Sequence, residues 1–147
     1  MLLFDVNVLV YAHREDAPNH AAFKEYVERE MNGDAAYGLS DLVLSGFLRV
    51  VTHARIFAQP TPVKKALEFT MAIRERANCV PVSPGPRHWE IFASFCASLH
   101  LKGNLIPDAY LAAVAIESGC TWVTTDRDYA RFSSLPWRHP LEGAPPA

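Results

Sequence analysis

The sequence predicts an α/β domain with three layers, in which a mostly parallel central sheet lies between helices. Short, uniformly apolar runs alternate with longer segments of helical periodicity along the 147 residues. Uniformly apolar runs indicate strands buried on both faces, and strands that alternate with helices form parallel sheets covered on both sides. In such sheets ligands bind beyond the carboxyl ends of the strands. Polar residues that follow strands are therefore the first candidates for a functional site.

Turn and cap residues divide the chain into its elements. Asp16-Ala17-Pro18 interrupts the first helical region, Ser40 is an expected N-cap, and Thr61-Pro62 is expected to begin a later helix. Pro81 places the third strand at a sheet edge or strand end, because proline has no N–H to donate. In order, the predicted elements are a strand at 2–5, helices from about 7 to 15 and 19 to 31, a strand at 35–39, helices at 41–52 and 62–77, a strand at 79–82, helices at 87–101 and 107–118, a strand at 121–125, a short helix at 128–132 and an edge strand at 137–139.

Length and composition indicate one domain, assigned to residues 1–140, with a flexible tail at 141–147. No apolar run approaches the ~20 residues that a membrane helix needs, and the chain does not begin like a secretory signal. Three widely spaced cysteines form neither a disulfide framework nor a zinc pattern, so a reducing cytoplasmic location is expected. The net charge of −2 argues against a generally basic nucleic-acid binder. This evidence is weak, however, because acidic ligands clustered in one cleft would offset the charge of a basic rim in the net charge.

Acidic residues recur where this topology would gather them. Asp5 ends the first apolar run, Asp108 begins a strong helix, and Asp126 follows the strand at 121–125, with Asp128 two residues later. Each alone is explained equally by a helix cap or a turn. Together they would repel one another unless a hard divalent cation lay among them, and oxygen ligands suit Mg²⁺ or Mn²⁺. The pattern therefore indicates metal-dependent phosphate chemistry.

Several neighbouring residues are candidate auxiliaries. Asn7 and Thr124, with Thr125, could orient carboxylates or metal-bound water by hydrogen bonding. Asp41 lies near the end of another predicted strand. The six histidines have no ligand spacing and are expected at the surface or partly buried. Four basic residues could flank a phosphate cleft, although a solvated helix face explains each of them as well: Arg49, Arg55, Lys64 and Lys65.

These motifs resemble the PIN domain, specifically the VapC-type toxin ribonucleases of type II toxin–antitoxin pairs. The resemblance rests on Phe4-Asp5-Val6-Asn7 near the start, on residues 44–52 followed by Arg55-Ile56-Phe57, on Pro107-Asp108-Ala109, and on Thr124-Thr125-Asp126-Arg127-Asp128. The order and spacing span nearly the whole chain, and the last two motifs are the more specific.

The resemblance implies an endoribonuclease, a hydrolase that cleaves RNA such as tRNA or rRNA with Mg²⁺ or Mn²⁺ and a metal-activated water. It implies Asp5, Asp108 and Asp126 as catalytic metal ligands, with Asp128 as an auxiliary acid and no cofactor besides the metal. Many members have a glutamate where Gly46 aligns here, and Gly46 cannot bind a metal. Two alternatives therefore stay open: a non-catalytic module that binds RNA or protein, and a phosphohydrolase with Asp5 as nucleophile, although Asn7 replaces its usual second aspartate.

The resemblance also implies two protein partners, a small cognate antitoxin and a second copy of the chain in a homodimer, but no membrane. Apolar helical residues near the acids would then line a groove for an amphipathic antitoxin helix. Some of six residues are candidates for this groove, although any single one is more readily explained as core: Val8, Leu9, Tyr11, Phe47, Val51 and Phe57.

Overall fold

A five-stranded, entirely parallel sheet forms the centre of the protein in the computed structural model, which describes residues 1–143. The strand order across the sheet is β3-β2-β1-β4-β5. The strands are β1 (Leu2–Phe4), β2 (Tyr37–Leu39), β3 (Cys79–Pro81), β4 (Thr121–Val123) and β5 (Trp137–Arg138). The α/β prediction is thus confirmed, and Pro81 does end an edge strand.

Six α-helices connect the strands: α1 (Val6–His13), α2 (His20–Asn32), α3 (Asp41–Val51), α4 (Val63–Arg74), α5 (His88–Ser98) and α6 (Leu105–Glu117). A 3₁₀-helix (Arg127–Arg131) follows β4. Helix α1 packs against both α2 and α3, and α4 packs against α3, so α1 to α4 form one group. Helices α5 and α6 pack against each other and form a second group. Because parallel crossovers are right-handed and the path reverses direction after β3, these two groups cover opposite faces of the sheet.

The register of β1 with β4 brings the functional end of the sheet together. Phe4 lies opposite Val123, and the N–H of Asp5 donates to the carbonyl of Val123 at 2.9 Å. Asp5 and Thr124 therefore leave the sheet side by side. Since β1 is the central strand, this junction lies at the middle of the carboxyl edge, where the two directions of the chain path meet.

The core fills both sides of the sheet with large apolar side chains. Phe4, Phe47 and Trp122 are fully buried. Four of the residues expected to line a groove for an antitoxin are also fully buried, namely Val8, Leu9, Phe47 and Val51. These four therefore belong to the core, the alternative stated for each of them, because the α1 and α3 faces that carry them pack inward.

Several element ends and caps differ from the predictions. Strand β4 ends at Val123 because Thr124 begins a turn. The Ser40 side chain makes no capping hydrogen bond, and Thr61 instead accepts from Arg14 Nη1 at 3.2 Å. Pro140 is buried, whereas Leu141 to Gly143 are exposed, and the predicted tail beyond them, at 144–147, lies outside the described residues. Within 1–143, no helix combines the length and apolarity needed to cross a membrane.

Candidate active site

Asp5 stands at the junction between β1 and α1. It is the N-cap of α1, where its Oδ1 accepts the N–H of Val6 at 2.7 Å. The residue is only 6% exposed, so its carboxylate has lost most of its contact with water. The capping interpretation of Asp5 and the functional one are therefore compatible, since one oxygen caps the helix and the other faces the end of β4.

Two polar side chains hold the second oxygen of Asp5. The hydroxyl of Thr124, itself fully buried, donates to Asp5 Oδ2 at 2.6 Å. The Asn7 amide donates to the same oxygen at 3.2 Å, while its carbonyl oxygen accepts the N–H of Thr125 at 3.3 Å. Such donors fix the orientation of the carboxylate, which is the supporting role expected for Asn7 and Thr124.

Thr124 also sets the path of the chain toward Asp126. Its Oγ1 accepts the N–H of Asp126 at 3.0 Å, and Asp126 Oδ1 accepts the N–H of Asp128 at 2.9 Å, which begins the 3₁₀-helix. Asp126 is thus a turn-forming residue as well as a candidate ligand. The same threonine contacts Asp5 and directs Asp126, so the two acids are positioned together.

Asp108 comes from the opposite layer, in the first turn of α6, where the helix dipole favours a carboxylate. The hydroxyl of Tyr129 donates to Asp108 Oδ1 at 3.3 Å. Tyr129 is 2% exposed, and its ring lies 5.5 Å from that of Trp122, centroid to centroid. A rigid tyrosine in the core therefore holds this acid.

Asp5, Asp108 and Asp126 line one pocket at the carboxyl edge of the sheet. The pocket has an acidic floor, an apolar wall and one cation. Its lining also includes Val6, Asn7, Val10, Tyr11, Gly46, Arg49, Val50, Ile56, Phe57, Leu111 and Tyr129. The structure thus brings together three acids that lie up to 121 positions apart, the difference between 126 and 5.

The acids in this pocket are electrostatically strained. Burial raises the pKa of Asp5 to about 6, against the lowering effect of the Thr124 and Val6 hydrogen bonds, and Asp108 and Asp126 raise it further. Burial, and then the charge of Asp126, also raise the pKa of Asp108, which the Tyr129 hydrogen bond partly opposes. The pKa of Tyr129 is raised as well, chiefly by burial and then by the nearby acids, so its phenol remains a proton donor.

A hard divalent cation fits the chemistry of this donor set. The donors are carboxylate oxygens, their mutual repulsion is unfavourable without a counter-charge, and their orientation is fixed by neutral hydrogen-bonding groups. Within residues 1–143, however, no three His, Cys, Asp or Glu side chains lie close enough together to hold a metal ion as they stand. Binding an ion to all three acids therefore requires their side chains to move toward one another.

Gly46 faces the same pocket, as the alignment with the family's usual glutamate anticipates. A Cβ added at Gly46 would lie 2.9 Å from Val6 Cγ2. Glycine thus permits the close approach of α1 and α3 at this point. A glutamate here would require Val6 to move. The pocket therefore contains three acids, and a close contact between α1 and α3 occupies the place of a fourth.

Two candidate auxiliaries do not join the pocket. Asp41 is exposed on α3, and its Oδ1 accepts from Arg74 Nε at 3.0 Å. Asp128 is exposed too, and its carboxylate lies 3.8 Å from the Arg131 guanidinium. Both were reasonable from their spacing, but α3 begins away from the acids and the 3₁₀-helix turns Asp128 outward.

Some of the basic and histidine residues also lie where the sequence did not lead us to expect them. Of the four basic residues suggested to flank the cleft, only Arg49 lines the acidic pocket, while Lys65 lines a separate depression beside Arg14. His88 is buried at 3% exposure, and its Nε2 lies 2.9 Å from the carbonyl oxygen of Tyr110, so the expectation that the histidines lie at the surface or only partly buried is wrong for it.

Sequence reasoning missed the role of Tyr129. It follows Asp128 directly, and an aromatic residue after an acidic turn is equally typical of ordinary core. The 3₁₀-helix turns this side chain back under β4, where the hydroxyl reaches Asp108. The only signal for Tyr129 in the sequence was that it directly follows the motif at 124–128, one of the more specific motifs of the resemblance.

Comparison with known proteins agrees with this architecture. A family model for the PIN domain matches residues 2–135. Ribonuclease VapC43 of Mycobacterium tuberculosis is 46% identical over 143 residues, with 97% of each chain covered. The structure of M. tuberculosis VapC20, described as a toxin that cleaves the sarcin–ricin loop, matches with a TM-score of 0.66 at 14% identity, covering 88% of this chain and 93% of that one.

A toxin–antitoxin complex from Klebsiella pneumoniae matches with a TM-score of 0.60 at 19% identity, covering 97% of this chain and 99% of that one. At these identities the solved structures show the fold alone. The family match and the curated relative extend over almost all of the chain, and they cover the strand ends that carry the acids. The chain therefore belongs to the PIN-domain family, as a ribonuclease of the VapC toxin type.

Proposed function

We propose that this protein cleaves RNA in a reaction that depends on Mg²⁺ or Mn²⁺ held by Asp5, Asp108 and Asp126. The observation that carries the proposal is the convergence of these acids in one pocket, with the pKa of Asp5 raised to about 6. A divalent ion, when bound, polarises a scissile phosphate and lowers the pKa of an attacking water. The relationship to VapC43 supports RNA as the substrate.

The chain's own residues position the acids and the substrate. Thr124 and Asn7 hold Asp5 at 2.6 and 3.2 Å, and Tyr129 holds Asp108 at 3.3 Å. These bonds favour the ionised carboxylates, because each donor stabilises negative charge. Arg49 supplies a cation on the pocket rim, where it would attract the phosphates of RNA into a cleft that otherwise repels them.

We also propose that a small antitoxin restrains this activity and that the protein works in the cytoplasm as a homodimer. The antitoxin proposal is supported by the fold shared with the Klebsiella toxin–antitoxin complex. Tyr11 and Phe57, two of the residues expected to form its groove, do line the pocket and are only partly buried. An antitoxin arginine reaching the carboxylates would replace the cation electrostatically and block cleavage.

A cleavage assay on total cellular RNA tests the proposal. Wild-type protein with Mn²⁺ should release discrete fragments, and EDTA should abolish them. Asp5→Asn and Asp108→Asn should remove most activity, whereas Asp34→Asn, an equal charge change at an exposed loop position, should not. Undiminished cleavage by either pocket variant would refute the assignment of the acids. Failure of the folded wild type to cut any RNA would leave the non-catalytic binding module, which the glycine at position 46 also favours.

A further inference from the structure

The loop between α3 and α4 is clamped to the end of α1 by Arg14. The guanidinium carbon of Arg14 lies 4.0 Å from the centroid of the Phe57 ring, and Nη1 donates to the carbonyl of Gln59 at 2.8 Å. Asp16 accepts two further bonds from the guanidinium, at 2.8 and 2.6 Å. With only 9% of Arg14 exposed and its donors engaged, this arrangement is rigid.

This clamp positions Phe57, which lines the acidic pocket. Arg14 covers one face of the ring, and the half-buried side chain keeps part of its surface on the pocket side. Ile56, beside it, is 51% exposed and lines the same pocket. Phe57 and Ile56 together form an apolar wall of the pocket. Neither side chain can bind a cation, so a metal site formed by the acids gives no reason for this wall.

The charge beside this wall points to the ligand. Arg49 is exposed on the last turn of α3, lines the pocket, and forms no ion pair with any residue in 1–143. A flat aromatic surface beside an unpaired cation is the combination that binds single-stranded nucleic acid, since a base stacks on the ring and a phosphate pairs with the cation.

We propose that Phe57, backed by Arg14, stacks on a nucleobase next to the scissile phosphate, and that Arg49 binds a phosphate flanking that base. The inference rests on the ribonuclease activity proposed above and names the subsite that recognises its single-stranded substrate. Arg14 is a positioning residue, because it acts through Phe57. A wholly apolar protein segment is disfavoured here, since it would bury Arg49 and the carboxylates without partners.

The test uses a short single-stranded RNA oligonucleotide that spans a cut site mapped on total RNA, with Mn²⁺ present. Phe57→Leu keeps an apolar side chain but removes the aromatic face, so KM should rise about 5- to 150-fold, the range that corresponds to about 1–3 kcal/mol of stacking, with a smaller change in kcat. Phe57→Tyr should retain a KM close to that of the wild type. Trp89→Leu, which likewise replaces an aromatic side chain with leucine, at a residue that is 69% exposed outside the pocket, is the control.

A second measurement keeps the wild-type protein and changes the RNA. Replacing one base beside the cut with an abasic ribose should raise KM for the wild type by the same factor, and Phe57→Leu should add little further loss. Arg14→Lys retains the charge but loses the planar stack and the paired bonds to Asp16. Its effect on KM should be non-additive with Phe57→Leu, whereas a general loss of stability would add to it.

The outcomes separate the subsite from the activity. If the wild type cuts no RNA, the proposed function fails and the subsite with it. If the wild type cuts RNA but no abasic position and no Phe57 variant alters KM, the subsite alone is refuted. Weakened antitoxin binding by Phe57→Leu is compatible with the subsite, since the antitoxin is proposed to contact Phe57 too, but weakened antitoxin binding with an unchanged KM would assign Phe57 to the protein interface alone and overturn the inference.

Discussion

Replacing Asp5 with asparagine should remove most cleavage and, without metal, make the folded protein more stable near neutral pH. The structure holds the pKa of Asp5 at about 6 against an ordinary value of 3.8. Folding therefore favours the protonated acid, and keeping it ionised above pH 6 costs about 3 kcal/mol, at 1.36 kcal/mol per pKa unit. Asparagine resembles the protonated form and avoids that cost.

Hydrogen bonding reduces the expected gain. The carbonyl oxygen of the introduced asparagine could still accept the Val6 N–H, and its amide could donate to Thr124 Oγ1. The amide of Asn7 and the hydroxyl of Thr124, which now donate to Asp5 Oδ2 at 3.2 and 2.6 Å, would both lose that acceptor. A lost bond of this kind costs about 1 kcal/mol, and two such bonds about 2 kcal/mol, so the net gain should be about 1 kcal/mol at pH 8.

The pH dependence identifies the cause. In the wild type the folded state binds the Asp5 proton more tightly than the unfolded state does, so its contribution to stability falls as the pH rises from about 4 to about 6. The advantage of Asp5→Asn should therefore be complete above pH 7 and should disappear near pH 4. Urea denaturation in EDTA, followed by tryptophan fluorescence, measures this at both ends of the range.

Metal should reverse the order of stability. Saturating Mn²⁺ at 100 times its Kd would stabilise the wild type by about 2.7 kcal/mol, and Asp5→Asn by much less. Asp34→Asn controls for net charge. If Asp5→Asn is no more stable than the wild type at pH 8 in EDTA, while Asp34→Asn behaves normally, the claim that Asp5 is a strained carboxylate is refuted.

Three further changes test the surroundings of the acids. Tyr129→Phe removes the donor to Asp108, so the pKa of Asp108 should rise and the acidic limb of the pH–rate profile should move to higher pH; an unmoved limb would refute the role of the hydroxyl. Gly46→Glu should cost about 1–3 kcal/mol of stability through overpacking on Val6, partly offset by up to ~1 kcal/mol of helix propensity. Combined with Val6→Ala it should tighten Mn²⁺ binding in calorimetry, and unchanged affinity would show that the new acid does not reach the ion. Arg49→Gln should weaken RNA binding and lower the salt slope of log K by about 1; an unchanged slope would mean that Arg49 contacts no phosphate.

The sequence by itself predicted the α/β class and picked out the three acids that meet in the pocket, because both signals are local in origin. Apolar runs and helical periodicity report on burial one segment at a time, and Asp5 and Asp126 can be recognised because Asp5 directly follows a strand and Asp126 comes three residues after one. The resemblance to the PIN domain likewise depended on short runs of neighbouring residues, such as Thr124-Thr125-Asp126.

Only the tertiary structure decided which neighbours complete the site. Asp41 and Asp126 look alike in sequence, since both lie near strand ends, but Asp41 pairs with Arg74 at the surface and Asp126 enters the pocket. Tyr129 gained its role, and Phe57 its proposed one, from contacts with Asp108 and Arg14, which lie 21 and 43 positions away along the chain. The physical reason is that periodicity reports whether a side chain is buried, whereas its partner depends on how separate elements pack.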